Sequence, residues 1–327
     1  MNNIKYYLDR VERLFDEENF MGTPEELYAP IDYTLRLGGK RIRPTLLLVA
    51  NALFGGKEED ALDVALGIET FHNFTLLHDD LMDRSPLRRG RPTVYVKWDE
   101  NTAILSGDTM YALAWRYMLR TPLPKLHEIL NRFNETAIEV CEGQQKDMHF
   151  ERKSLDEVSL DDYMDMIRQK TAVLLAGALE IGAMTAGAPQ GEVDKLWKFG
   201  IHLGLAFQLQ DDLLDGYGDT ALFGKKTGQD IRDNKKTYLP LRALELCDTE
   251  QAIELRSLFA DKTCADEERK VCRALALYET VGLRTEVEKA IAQEFALAQE
   301  YLASVLADEE KKTPLRELTE TLMGRKK

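Results

Sequence analysis

Two stretches far apart in the chain repeat one pattern of aspartates, Asp79-Asp80-Leu81-Met82-Asp83 and Asp211-Asp212-Leu213-Leu214-Asp215. Each closes a long apolar run, where concentrated negative charge is costly. An isolated buried carboxylate loses several kcal/mol or takes up a proton, so three together call for a cation. On a helix, positions i and i+4 share a face, which projects Asp79 with Asp83 and Asp211 with Asp215. Two such pairs facing one cavity would hold hard divalent cations through oxygen. Mg²⁺ is the natural guest, because it keeps several waters and completes its shell with substrate phosphates. The spacing therefore predicts a two-walled Mg²⁺ and phosphate site.

The net charge is −14, which argues against a nucleic-acid binder, whose affinity comes from neutralising phosphates. Any phosphate must be met by a few local cations. Gly38-Gly39-Lys40-Arg41-Ile42-Arg43-Pro44 is one such group. It is not a P-loop, since Lys40 is followed by Arg and no glycine stands at the upstream position. It reads either as a glycine-loosened turn that grips a phosphate before a new helix or as a solvated basic turn. Arg88-Arg89-Gly90 lies just past Asp83, and guanidinium pairs favour bidentate phosphate contacts. Lys225, Lys226, Lys235 and Lys236 follow the second aspartate motif, as phosphate ligands or as solubilising surface charge. His72 stands two helical turns before Asp79, as a core histidine or as a ligand. Gln208 precedes Asp212 by one turn. Lys170 heads the apolar stretch Thr171-Ala172-Val173-Leu174-Leu175, where a lysine could also snorkel.

The elements that must carry these residues read as helices almost throughout. Pro (10) and Gly (21) are few among 327 residues, and period-two alternation is nearly absent. Residues 60–82 and 196–214 are apolar on most faces, as expected of helices inside a bundle, whereas 287–306 is amphipathic. Ser154-x-x-Glu157 predicts a capping box opening a helix that carries Met164, Ile167, Thr171 and Leu174. Irregular segments follow each aspartate motif, at about 84–101 and 216–238, and read as loops at one mouth. No linker divides the chain, so the expectation is an all-α, single-domain helical bundle over 1–327 around one deep central cavity. Four scattered cysteines form no Cys-x-x-Cys pair and read as buried or incidental thiols of a reducing compartment. The N-terminus has no apolar signal region and no stretch is long enough to span a membrane, which together predict a cytoplasmic protein.

In combination and in order, these motifs resemble those of the trans-prenyltransferases, the head-to-tail isoprenyl (polyprenyl) diphosphate synthases. The likeness covers nearly the whole chain: the Gly-Gly-Lys-Arg-x-Arg-Pro turn, His72, the first aspartate motif, Arg88-Arg89-Gly90, Lys170-Thr171, Phe207-Gln208-Leu209-Gln210 leading into the second aspartate motif, then Lys225 and Lys235. The resemblance implies an isoprenoid-synthase fold, usually a homodimer. It also implies a reaction in which an allylic diphosphate (dimethylallyl, geranyl or farnesyl) ionises and isopentenyl diphosphate attacks the cation. Three Mg²⁺ per site are implied, two on Asp79 and Asp83 and a third on Asp211, with Asp80, Asp212 and Asp215 supporting them indirectly. Arg88, Lys170, Lys225 and Lys235 would hold the allylic diphosphate, and Lys40, Arg43, His72 and Arg89 the isopentenyl diphosphate. Thr171 and Gln208 would turn oxygen dipoles toward the cation.

The same resemblance makes Phe74 and Thr75, just upstream of the first motif, the residues that set product length. An aromatic there implies a short product, farnesyl (C15) or geranylgeranyl (C20) diphosphate. An ideal helix separates Phe74 from Asp79 by roughly 140°, so Phe74 could instead be core filling. The basic tail Arg325-Lys326-Lys327 would fold over the isopentenyl site or fray. Two competing readings share the fold. A class I terpene cyclase mixes Asn, Ser and Glu in its second metal motif and lacks the turn around Lys40. A regulatory subunit of a heteromeric synthase would have lost an aspartate motif or its basic partners.

Overall fold

The computed structural model describes residues 3–121, 125–218, 227–260 and 266–324. The fold is all-α, as its sequence predicts. In chain order the helices are α1 (Ile4–Glu17), α2 (Glu25–Leu35), α3 (Ile42–Leu53), α4 (Glu59–Met82), α5 (Val94–Lys97), α6 (Glu100–Met118), α7 (Leu126–Arg152), α8 (Leu160–Ile167), α9 (Val173–Thr185), α10 (Gln190–Tyr217), α11 (Gln229–Arg232), α12 (Tyr238–Leu246), α13 (Thr249–Ala260), α14 (Glu267–Thr280), α15 (Leu283–Ser304) and α16 (Glu309–Met323). Among the described residues the only strands are β1 (Leu87–Arg88) and β2 (Arg91–Pro92), paired antiparallel. Arg89 (φ 53°) and Gly90 (φ 74°) between them both take positive φ, as a tight two-residue hairpin turn requires.

The chain forms two compact units, one of residues 1–134, 177–194 and 306–317, the other of 135–176, 195–305 and 318–327. In the first, α3 and α4 are buried on most faces, through Leu46 to Ala50 and through Val64, Ala65, Leu66, Ile68 and Phe71. The all-round apolar reading of α4 holds for this reason. Gly67 lets α6 approach, because a Cβ there would lie 2.9 Å from Met118 and 3.1 Å from the Ala114 carbonyl. The second unit is built on the apolar faces of α9 and α10, with Ala172, Val173, Leu203, Ala206 and Leu209 buried.

Local structure departs from the sequence reading in one place that matters for function. The Ser154–Glu157 capping box forms, but it opens only a 3-10 turn at Leu155–Glu157. The helix proper starts at Leu160 behind a second box, Ser159 with Asp162. It does not run unbroken to Leu174 either: a π-helical turn at Arg168–Ala172 separates α8 from α9. The loop expected over 84–101 holds the β-hairpin and α5, and the one over 216–238 holds α11. Cys141 and Cys272 are exposed and Cys247 half-buried, all free thiols; Cys264 lies outside the described residues. No helix of the described residues is long and apolar enough to cross a membrane.

Candidate active site

Each aspartate motif ends a long helix. Asp79 and Asp80 lie in the last turn of α4 with Asp83 as its C-cap, and Asp211, Asp212 and Asp215 lie in the last turns of α10. A helix C-terminus carries partial negative charge, so clustered carboxylates there are mismatched until a cation arrives.

In the first unit the basic residues converge on α4. The turn before α3 is sharply bent, with Gly38 (φ 76°), Gly39 (φ 144°) and Arg41 (φ 47°) all at positive φ. Arg41 does not reach toward a ligand. It is buried, donating to Glu69 at 3.0 Å and to the Leu35 carbonyl at 2.6 Å, with its guanidinium 4.2 Å from the Phe15 ring centroid. Of the three cations in this turn one is therefore internal, while Lys40 is exposed and Arg43 half-buried. The Arg43 guanidinium contacts His72 Nε2 at 3.1 Å. Guanidinium has no acceptor, so Nε2 accepts and the ring proton sits on Nδ1. Burial, with Arg43, Arg89, Arg88 and Arg41 nearby, holds the His72 pKa well below its ordinary value and keeps the ring neutral. Arg88 donates to Asp80 at 2.7 Å and stands 4.0 Å from Asp79. Arg89 packs against the glycine turn, where a Cβ on Gly39 would meet its guanidinium at 2.6 Å. Two segments of separate sequence origin thus place their cations against one helix.

Phe74 is half-buried in an aromatic cluster, its ring centroid 5.6 Å from Phe71, 5.4 Å from Tyr111 and 4.8 Å from His78. The Thr75 hydroxyl donates to the His72 carbonyl at 2.8 Å.

In the second unit a cleft is lined by Lys170, Thr171, Gln208, Asp212 and Lys235, with Asp147, Tyr163, Asp230 and Lys236 among the other walls. Lys170 donates to Asp147 at 2.5 Å. Thr171 donates to Gln208 Oε1 at 3.4 Å, and the Gln208 amide to Asp212 at 3.3 Å. With its proton committed to Gln208, the Thr171 oxygen presents lone pairs. Asp212 is buried and also accepts from the Tyr163 hydroxyl and from the Tyr238 backbone N–H at 3.2 Å. Burial, with Asp211 adding, pushes Asp212 up to about 7 against these hydrogen bonds. Asp215 accepts from the backbone N–H groups of Gln229 and Asp230, each at 3.1 Å, and so caps α11. Lys236 is buried rather than a solubilising surface charge, and reaches the Glu151 carbonyl at 3.4 Å. Lys225, Lys226 and the tail residues Arg325, Lys326 and Lys327 lie outside the described residues.

Among the described residues no three acidic, His or Cys side chains converge as a ready-made metal site. The donor set is hard oxygen from aspartates at helix ends, and Asp80 Oδ1 is buried without a hydrogen-bond partner. That set fits a divalent ion whose shell is completed by diphosphate and water. Arg43 Nε, likewise buried without a partner, fits an anion.

The sequence model of the Polyprenyl synthetase family matches residues 24–276. The chain belongs to that family. This synthetase is 40% identical over 258 residues to the short chain isoprenyl diphosphate synthase of Methanocaldococcus jannaschii, covering 78% of each chain. It is also 40% identical over 256 residues to the geranylfarnesyl diphosphate synthase of Natronomonas pharaonis, covering 73% of each. Among solved structures it resembles a geranylgeranyl pyrophosphate synthase, with a TM-score of 0.92 and 40% identity over the whole of both chains. The synthetase is a prenyltransferase.

Sequence reasoning had passed over Asp147, Tyr163, Asp230 and Glu69. Glu69 carried a signal, as an acid inside an apolar helix. Asp147 carried none, since α7 is rich in acids.

Proposed function

We propose that this prenyltransferase condenses isopentenyl diphosphate with an allylic diphosphate (dimethylallyl, geranyl or farnesyl), giving a short all-trans product, farnesyl or geranylgeranyl diphosphate, and pyrophosphate. The observation that carries the reading is the convergence on the end of α4, with Arg43 at 3.1 Å from His72 and Arg88 at 2.7 Å from Asp80. An anion-binding patch thereby adjoins a cation-binding one, as two diphosphates with metal require.

Lys40, Arg43, His72 and Arg89 hold isopentenyl diphosphate in this reading. His72, kept neutral by burial and by its arginine neighbours, donates from Nδ1 and adds no positive charge of its own. Arg88, Lys170, Lys225 and Lys235 hold the allylic diphosphate as its C–O bond breaks. Thr171 and Gln208 face the carbocation with oxygen dipoles, and the proton lost at the end passes to pyrophosphate. Asp79, Asp83 and Asp211 would hold three Mg²⁺, which draw charge from the departing pyrophosphate. Asp80, Asp212 and Asp215 brace those positions. Phe74, with Thr75 beside it, limits chain length. One functional domain over 1–327, a homodimer and a cytoplasmic setting complete the proposal; the family match running through both units supports the first.

Asp79→Ala and Asp211→Ala should each abolish product from isopentenyl diphosphate, geranyl diphosphate and Mg²⁺ while leaving the helical circular dichroism spectrum unchanged. A chelator should stop the wild-type reaction, and added Mg²⁺ should restore it. Near-normal product from both variants, read by mass spectrometry, refutes the assignment.

A further inference from the structure

The π turn Arg168–Ala172 is clasped between two glycines. A Cβ on Gly143 of α7 would fall 2.3 Å from the Lys170 backbone N and 2.7 Å from the Gln169 carbonyl carbon. A Cβ on Gly204 of α10 would fall 2.6 Å from the Ala172 Cα. All three distances are to backbone atoms, which cannot swing aside. Helix α7 also holds the side chain. Asp147, one turn beyond Gly143 and on the same face, accepts from Lys170 Nζ at 2.5 Å, and the pair is shielded to 20–25% exposure. Backbone and ammonium of Lys170 are thus both set by α7, through a turn whose extra residue breaks the helical register. Lys170 and its neighbour Thr171 both line the cleft as a result.

We propose that Asp147 is a positioning residue: its carboxylate aims the Lys170 ammonium into the cleft, and Gly143 and Gly204 fix the π turn that carries it. An ammonium has three donors, so Lys170 can keep Asp147 while offering another to a diphosphate. Asp147 acts only through Lys170, and the inference rests on the reading that Lys170 binds the allylic diphosphate.

Steady-state kinetics with geranyl diphosphate, isopentenyl diphosphate and Mg²⁺ test it. Asp147→Ala should raise KM for geranyl diphosphate about tenfold, a loss of about 1.4 kcal/mol. KM for isopentenyl diphosphate should stay within about twofold, because its ligands lie elsewhere. Asp147→Asn keeps an oxygen acceptor and should show only about a threefold rise; it carries the comparison if Asp147→Ala loses its helical spectrum. Lys170→Ala should show a similar selective rise, and the double variant Asp147→Ala/Lys170→Ala should be no worse than Lys170→Ala. An unchanged or lowered KM for geranyl diphosphate in Asp147→Ala overturns the inference. So does a parallel rise in both KM values, or additive losses in the double variant. A Lys170→Ala enzyme with unaltered geranyl diphosphate kinetics instead removes the Lys170 reading itself, and the positioning role falls with it.

Discussion

Replacing Glu69 by alanine isolates the physical cost of building the basic turn. Glu69 is 1% exposed and Arg41 3%, and they meet at 3.0 Å. Without Glu69, Arg41 keeps the Leu35 carbonyl, the Phe15 ring and a longer contact of 3.6 Å to Glu12, but loses its buried counter-charge. Removing one partner of a buried pair typically costs about 3–5 kcal/mol. A change of 1 kcal/mol moves the midpoint of a unit this size by about 2–4 °C, so Glu69→Ala should lower it by roughly 6–20 °C. Glu69→Gln keeps an acceptor for Arg41 and should cost about 1–3 kcal/mol. The paired change Glu69→Met/Arg41→Met removes both charges and should recover much of the loss, because the penalty lies in the unpaired guanidinium. Differential scanning calorimetry of the four proteins reads the series. Arg41 is also the left-handed residue preceding α3, with Arg43 two positions on. The single variant should therefore raise KM for isopentenyl diphosphate as well. A midpoint within about 2 °C of wild type for Glu69→Ala would refute the reasoning, since it would correspond to about 1 kcal/mol or less.

Two other outcomes follow from named contacts. Phe74→Ala removes a ring that packs on Phe71, Tyr111 and His78, and its products should be longer by at least one isoprene unit in the mass spectrum; an unchanged length rules Phe74 out as the floor. Asp212 has its folded pKa raised to about 7 by burial, so the folded chain holds more protons than the unfolded one between about pH 4 and 7. Metal-free wild type should lose stability as pH rises through that window, and Asp212→Asn should flatten the slope of thermal midpoint against pH. Parallel slopes for the two proteins would contradict this.

The helices of the site were readable from sequence because burial on all faces leaves an unbroken apolar run, as in α4 and α10. The glycine turn was readable too, since paired glycines before basic residues announce positive φ. What stayed hidden was pairing across long separations. Glu69 was visible as an acid in an apolar helix, but its partner Arg41 lies 28 residues upstream, and no local pattern links them. Arg41 looked like a third phosphate ligand for the same reason. The π turn was invisible because Met164, Ile167, Thr171 and Leu174 keep a spacing that an uninterrupted α-helix would also give. Its cause is tertiary, in the backbone contacts of Gly143 and Gly204. Asp147 was one acid among many on α7 until Lys170 was seen beside it.

The two aspartate motifs turn out to share a division of labour that their spacing alone does not express. In each, the second aspartate is the buried one: Asp80 is 5% exposed and Asp212 3%. Successive residues on a helix point about 100° apart, so when the first and third aspartates share an outward face the second must turn into the packing. It then needs a partner from the protein, and each motif supplies one of a different kind. Asp80 takes the cation Arg88 at 2.7 Å, whereas Asp212 takes neutral donors from Tyr163, Gln208 and the Tyr238 backbone. An arginine lowers the cost of a buried charge directly. Neutral donors offset it only in part, which is why burial still drives Asp212 up to about 7. Arg88 does not compensate Asp80 in full either, since burial still holds its pKa above the ordinary carboxylate value and leaves Oδ1 without a hydrogen-bond partner. The two motifs therefore brace their buried aspartate by different means, although they differ in sequence by a single residue, Met82 against Leu214.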